Sequence, residues 1–168
     1  TPVADAFGTA TGTVTVEDGG PDSNLGTSDD NVTFWRTFVV TVNAVNDLPT
    51  LAALSNATID EDAAQQTVSL SGIDAGGGET QPLRVTAVSD TPGLVPDPTV
   101  SYTTAQATGG LVYTPVADAW GTATVTVTVE DGGLDLDLGT PGDNATFLRT
   151  FVVTVDPVND PPTLATIS

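Results

Sequence analysis

The chain has 168 residues, of which 22 are acidic and only three are basic, so its formal net charge at pH 7 is −19. A surface this acidic repels nucleic acid and anionic membranes rather than binding them. Histidine, cysteine and lysine are absent, which excludes Ser–His and Cys–His nucleophiles, imidazole metal sites, Schiff-base chemistry and any disulfide framework.

A chain whose ionisable side chains are mostly carboxylates can perform few kinds of function. A pair of carboxylates could hydrolyse a glycoside, but the chain has only four glutamates and its other acidic residues fall in predicted loops and joints, so we expect no enzyme. Because like charges destabilise a compact state, the acidity suggests either a bound cation or a high-salt habitat. No run of about 18 apolar residues occurs, so we expect no membrane insertion in this part of the protein.

The first predicted strand spans residues 8–18, where threonine and valine alternate. Such alternation indicates one face in a core and one in water. Gly12 interrupts the valine series, which predicts a local bulge or a softer edge. A long stretch of strand-type residues then ends in Val-Asn-Asp-Leu-Pro-Thr at 45–50, which has the character of a joint between domains.

Five shorter strands are predicted next, each bounded by turn-forming residues. Glycine, proline and aspartate clusters mark the turns, and Gly109-Gly110 is interpreted as one of them. The strands are expected at 57–60, 66–73, 82–89, 99–103 and 110–114.

Residues 121–131 and 146–156 carry the clearest strand patterns and are predicted to form a hairpin. Valines at 125, 127 and 129 alternate with threonines in the first of them. Their connection, 132–145, is long and acidic, and so has the character of a functional loop rather than a tight turn.

A tandem repeat organises the whole chain. Residues 1–55 align without gaps on residues 114–168, and 41 of the 55 pairs are identical. A fixed offset of 113 residues indicates repeated domains. We therefore predict the end of one repeat at 1–47, a complete repeat at 48–160 and the start of a third at 161–168, in a polypeptide that continues on both sides.

Seven short strands in about 113 residues, with no amphipathic helix, predict an all-β fold. The expected architecture is an antiparallel β-sandwich with Greek-key connections, repeated in tandem.

Three motifs resemble the cadherin-like, Ig-like repeats of large bacterial surface proteins. They are the Ala-Asp-Ala-Trp-Gly turn at 117–121, the Glu-Asp-Gly-Gly at 130–133 and the Val-Asn-Asp-Pro-Pro-Thr at 158–163. The Asp-Glu-Asp-Ala at 60–63 resembles the opening of those repeats. The resemblance implies an extracellular structural repeat, such as a stalk, adhesin shaft or filament on a bacterial cell surface. Its partners would be adjacent repeats, or other copies in a filament.

The resemblance also implies Ca²⁺ held where two repeats meet. Ca²⁺ takes 6–8 oxygen ligands, so a site needs several carboxylates and carbonyls together. Carried onto this sequence, the ligands at the end of the complete repeat are Glu61, Asp62, Asp118, Asn159 and Asp160. At the preceding joint they are Asp5, Asn46, Asp47, Asp74 and Asp131.

Three alternatives stay open. The Asn-Asp-x-Pro segments could simply end a strand and turn the chain. Loop 132–145 could be a solvated acidic loop, or could make this a recognition module for a carbohydrate or protein, although Asp135-x-Asp137 matches a calcium loop only weakly. The acidity could also serve only solubility in brine.

Overall fold

The computed structural model describes residues 1–26 and 29–165. Residues 166–168, in the predicted start of a third repeat, lie outside this description. Within the described ranges, no helix has the length and hydrophobicity needed to cross a lipid bilayer. The regular elements are strands: β1 (Gly8–Glu17), β2 (Thr33–Val42), β3 (Ala57–Asp60), β4 (Gln66–Ser71), β5 (Leu83–Ser89), β6 (Thr99–Ser101), β7 (Thr108–Tyr113), β8 (Gly121–Asp131) and β9 (Thr146–Asp156).

The chain divides into two compact units, of which the first is Thr1–Val45 and the second begins at Asn46. The first unit is the antiparallel hairpin β1–β2, paired without interruption from Gly8↔Val42 to Glu17↔Thr33. The predicted bulge at Gly12 is therefore wrong. Gly12 pairs with Phe38, and a Cβ atom at Gly12 would lie 2.5 Å from a carbon of the Phe38 ring. The missing side chain makes room for this ring.

The second unit contains two sheets. One has the strand order β3-β9-β8-β5 and the other β4-β7-β6. The chain passes from one sheet to the other at the connections β3–β4, β4–β5, β5–β6 and β7–β8, as in a Greek key. The predicted seven-strand β-sandwich is confirmed, with one refinement: β3 pairs with β9 in parallel.

The core of the sandwich lies between the two sheets. Val125, Val127 and Val129 of β8 are fully buried, as the alternation predicted. Across the core, the rings of Tyr113 and Phe151 lie 6.4 Å apart at an angle of 41°. Burial of each such side chain contributes about 1.5–3 kcal/mol. The packing of the two sheets against each other is therefore the main source of stability of the second unit.

Strand bounds follow the predictions closely where alternation is regular: 57–60, 121–131 and 146–156 are confirmed to the residue. β4 ends at Ser71, two residues early, because Gly72 has a φ of +64°. Interpreting Gly109-Gly110 as a turn was wrong, since both glycines pair within β7. A Cβ at Gly109 would lie 3.1 Å from the Tyr102 ring, so glycine allows this close approach.

Candidate functional site

Three carboxylates converge at one end of the second unit. Oxygen atoms of Asp62, Asp118 and Asp160 all lie within 4.8 Å of one another, and all three residues are exposed. Asp62 lies in the turn after β3, and Asp118 in the turn before β8 with a φ of 57°. Asp160 follows β9. The fold thus brings together three of the five residues predicted for the end of the complete repeat.

Glu61 fixes the segment that carries Asp160. Its side chain is buried, and its Oε1 accepts a hydrogen bond from the Val158 amide at 2.8 Å. Its own amide donates to the Asp156 carbonyl at 3.0 Å. Asn159 lies beside Asp160 and donates from its side chain to the Asp160 carbonyl at 3.3 Å. Glu61 therefore positions the segment after β9 next to the carboxylate cluster.

Electrostatics make this cluster receptive to a cation. Desolvation and the negative charges of Asp118, Asp62 and Glu61 raise the pKa of Asp160 above its ordinary value. A raised carboxylate pKa means that the surroundings destabilise the ionised form when no cation is bound. A cation would remove this repulsion.

Without metal, Asp160→Asn is expected to raise the melting temperature slightly at pH 7 and low salt, because it removes the repelled charge. The pKa of Asp160 is raised in the folded state, so the wild-type penalty exists above that pKa and disappears as the pH falls towards 3.8. Thermal unfolding of the wild-type and Asp160→Asn chains, measured from pH 7 down to 3.8, tests whether the substitution raises the melting temperature at the higher pH and loses this effect at the lower.

The matched variant is Asp118→Asn, which removes a partner of the same repulsion. Its gain at pH 7 should be similar, and the two gains should not add in the double variant. Full additivity would contradict a shared cluster.

The residues predicted for the preceding joint are arranged differently. Asn46 donates from its side chain to the Asp131 carboxylate at 3.2 and 3.3 Å and to the Asp143 carbonyl at 3.1 Å. Asp131 is fully buried and also accepts from the Gly133 and Ala145 amides at 3.0 and 2.8 Å. Asn46 and Asp131 therefore meet directly, through hydrogen bonds.

Two of the other three predicted residues, Asp47 and Asp74, also belong to the second unit. The backbone amide of Asp47 donates a hydrogen bond to the Glu79 carboxylate at 3.3 Å. Asp74 accepts from the Gly76 amide at 2.9 Å, which closes a local turn. Asp5 belongs to the first unit, where it is exposed in a turn with a φ of 57°, as Asp118 is in the second.

Two residues of the hydrogen-bond network around Asn46, namely Glu79 and Gln81, were not predicted from the sequence. Gln81 is buried and donates to the Asn46 side-chain oxygen at 2.6 Å and to Glu79 at 2.8 Å. The available signal was the polar Glu79-x-Gln81 pair shortly before β5.

The acidic loop 132–145 uses its carboxylates on its own backbone. Asp135 accepts from the Asp137 amide at 2.9 Å, Asp137 from the Gly139 amide at 2.8 Å, and Asp143 from the Leu134 amide at 2.8 Å. The loop of the first unit repeats the pattern, with Asp22 and Asn24 accepting at 2.8 and 2.9 Å. These hydrogen bonds give a structural reason for the acidic composition of the loop. Recognition of a carbohydrate or protein through this loop stays a prediction.

Fold and sequence pattern together define an Ig-like β-sandwich repeat. Residues 46–140 match the family model described as bacterial Ig domain. The chain belongs to this family, and the recognition made from its motifs is confirmed.

Solved structures give distant similarities. The surface layer protein SbsC matches in two structures: domains 1–6 with 16% identity and a TM-score of 0.44 over 89% of this chain, and domains 4–9 with 19% identity and a TM-score of 0.45 over 91%. This chain covers 17% and 18% of those chains. A chimeric titin Z1Z2 matches with 14% identity and a TM-score of 0.37, over 67% of this chain and 99% of that one. No match was found among curated proteins.

Proposed function

We propose that this chain is a structural module of an extracellular bacterial surface protein, in which Ig-like repeats joined end to end form a stalk, adhesin shaft or filament and Ca²⁺ stiffens the joints. Membership of the bacterial Ig domain family and the 113-residue repeat support the modular, non-enzymatic role. Adjacent repeats of the same chain are the partners.

The convergence of Asp62, Asp118 and Asp160 is the observation that carries the calcium proposal. Ligand oxygens lie 2.3–2.6 Å from a bound Ca²⁺, so any two of them are at most about 5 Å apart. The spacing of at most 4.8 Å between these carboxylate oxygens meets that requirement. Carbonyl groups and water would complete the coordination.

The positions of the three carboxylates explain how an ion would stiffen a joint. Asp62 and Asp118 belong to turns of the sandwich, whereas Asp160 belongs to the segment that leads onward from β9. An ion shared by all three fastens this segment to the sandwich. Without the ion, the carboxylates repel one another, and the part of the segment beyond Val158 is held less firmly.

The distribution of acidic residues favours a cation over general solubility in brine. Four of the outward positions of β8 carry threonines, at 122, 124, 126 and 128, and the fifth is Glu130, whose carboxylate is paired with Arg84. Acidic residues instead concentrate in loops and at the end of the sandwich.

Terbium luminescence tests the site directly, because Tb³⁺ replaces Ca²⁺ and emits when a nearby tryptophan is excited. Trp120 is two residues from Asp118. We expect saturable emission that Ca²⁺ displaces and Mg²⁺ does not. At a Ca²⁺ concentration 100 times Kd, the free energy of unfolding should rise by about 2.7 kcal/mol.

Asp118→Asn should abolish this emission, whereas Asp137→Asn in the acidic loop should retain it. Trp120→Phe should lose the emission but keep the stabilisation by Ca²⁺. Equal loss in the Asp118 and Asp137 variants would contradict the site. An unfolding temperature and protease resistance that chelator leaves unchanged would contradict the role of the ion.

A further inference from the structure

The hairpin β1–β2 exposes an apolar face of considerable size. Val14 is 55% exposed and Phe38 is 54% exposed. Val16 and Val40 lie on the same strands and are similarly open to solvent. A contiguous apolar surface of this kind marks a place where another molecule or segment binds.

The second unit contains the same hairpin with this face covered. Val127 and Phe151, the counterparts of Val14 and Phe38 at the 113-residue offset, are 0% and 1% exposed. The strands that cover them are β4 and β7 from the facing sheet, through Leu70, Leu111 and Tyr113. The inward positions of the two hairpins carry the same residues except that Gly12 replaces Val125. The face of β1–β2 therefore has nearly the shape and chemistry that accept this cover in the second unit.

The edges of the hairpin also differ between the two units. In the second unit, β5 pairs along the outer edge of β8 over seven residues, and β3 pairs along the outer edge of β9 over four. In the first unit, β1 and β2 form a two-stranded sheet. An isolated two-stranded hairpin is marginally stable at best, so strand pairing at its edges would stabilise it.

A groove beside β1 marks a third point of contact. It has a volume of about 190 Å³ and is lined by Val3, Phe7 and Val42, among others. In the second unit, Leu94 and Val95 fill the corresponding region: both are buried, and the Leu94 carbonyl accepts from the amide of Val116, the counterpart of Val3, at 2.9 Å.

We propose that the open face of β1–β2 is a docking surface for a polypeptide segment of the β3–β7 type, that is, one with the strand pattern of residues 48–113. The counterpart in the second unit is the segment 48–113, which stands directly ahead of Thr114. The docked segment adds one strand to each edge of the hairpin and lays a three-stranded sheet across its apolar face. The inference does not depend on the calcium site.

A fusion tests the proposal. A second copy of residues 48–113 is joined directly to Thr1 of the full chain, so that the new Tyr113–Thr1 junction reproduces Tyr113–Thr114. Hydrogen exchange is followed by mass spectrometry, and peptides of the two hairpins are distinguished by Gly12 against Val125 and Trp35 against Leu148. Amides of β1 and β2 should exchange at least about tenfold more slowly in the fusion, approaching the rates of β8 and β9.

The matched control is the same fusion with Leu70→Asp in the added copy only, because Leu70 is fully buried in the sandwich. This control should return β1–β2 to fast exchange while β8–β9, which report that the chain is folded, stay protected. Equal exchange of β1–β2 in the two fusions would overturn the proposal. Protection of β1–β2 in a dimer of the unfused chain would also overturn it, since a second copy would then be the occupant.

Discussion

Asp131→Ala is expected to lower the free energy of unfolding of the second unit by about 2–4 kcal/mol. The change removes the acceptor of three hydrogen bonds, from the amides of Gly133 and Ala145 and the side chain of Asn46. A buried donor left without a partner costs about 1–3 kcal/mol. The loop between β8 and β9 and the segment that contains Asn46 would lose their common anchor.

Urea unfolding followed by circular dichroism measures this effect as a lower midpoint with an unchanged slope. The matched control is Asp18→Ala. Asp18 is the counterpart of Asp131 in the first unit, where its carboxylate accepts from the amides of Gly20 and Val32 at 3.1 and 3.0 Å. This control should leave the transition of the second unit in place. An Asp131 variant as stable as the control would show that the carboxylate contributes little to the sandwich.

Regular alternation made much of the fold predictable. Val125, Val127 and Val129 occupy every second position of β8, and the inward face they define is the one that is buried. The same regularity fixed the hairpin with β9, because Phe151 and Val153 continue the inward face on the partner strand.

Glycine was interpreted correctly in the turn that follows residue 74, where Gly76, Gly77 and Gly78 all have a positive φ. Gly72 was wrongly placed inside the strand predicted at 66–73, whereas its positive φ ends β4 at Ser71. Gly12 and Gly109 lie inside strands, because an aromatic ring approaches each of them closely. Such an approach depends on a ring that is distant in sequence or on another strand, so the local sequence gives no signal for it.

The candidate site was predictable in part, through resemblance rather than through local pattern. Asp62, Asp118 and Asp160 are separated by 56 and 42 residues, and only the fold brings them to one place. The bond between Asn46 and Asp131 spans 85 residues. The sequence named both residues, but it could not distinguish a shared ion from a direct hydrogen bond, because amide and carboxylate groups serve both purposes.

Phe151→Ala is expected to destabilise the second unit by about 3–5 kcal/mol, the usual effect of removing a buried aromatic side chain. Phe151 is 1% exposed and its ring contacts Tyr113 across the two sheets. The resulting cavity would lie where the sandwich is closed on all sides, so the surroundings cannot collapse easily into it. The urea midpoint of the second unit measures the loss.

Phe38→Ala makes the same chemical change at the counterpart position, where the ring is 54% exposed and rests on Gly12. In the unfused chain it should leave the midpoint of the second unit unchanged. In the fusion that carries a second copy of residues 48–113, the ring should become buried, and the same substitution should destabilise the newly completed sandwich by about 3–5 kcal/mol. A negligible loss for Phe38→Ala in the fusion would mean that the added strands do not cover this face. The substitution therefore measures the burial of a single side chain in two contexts that differ only in the strands supplied to it.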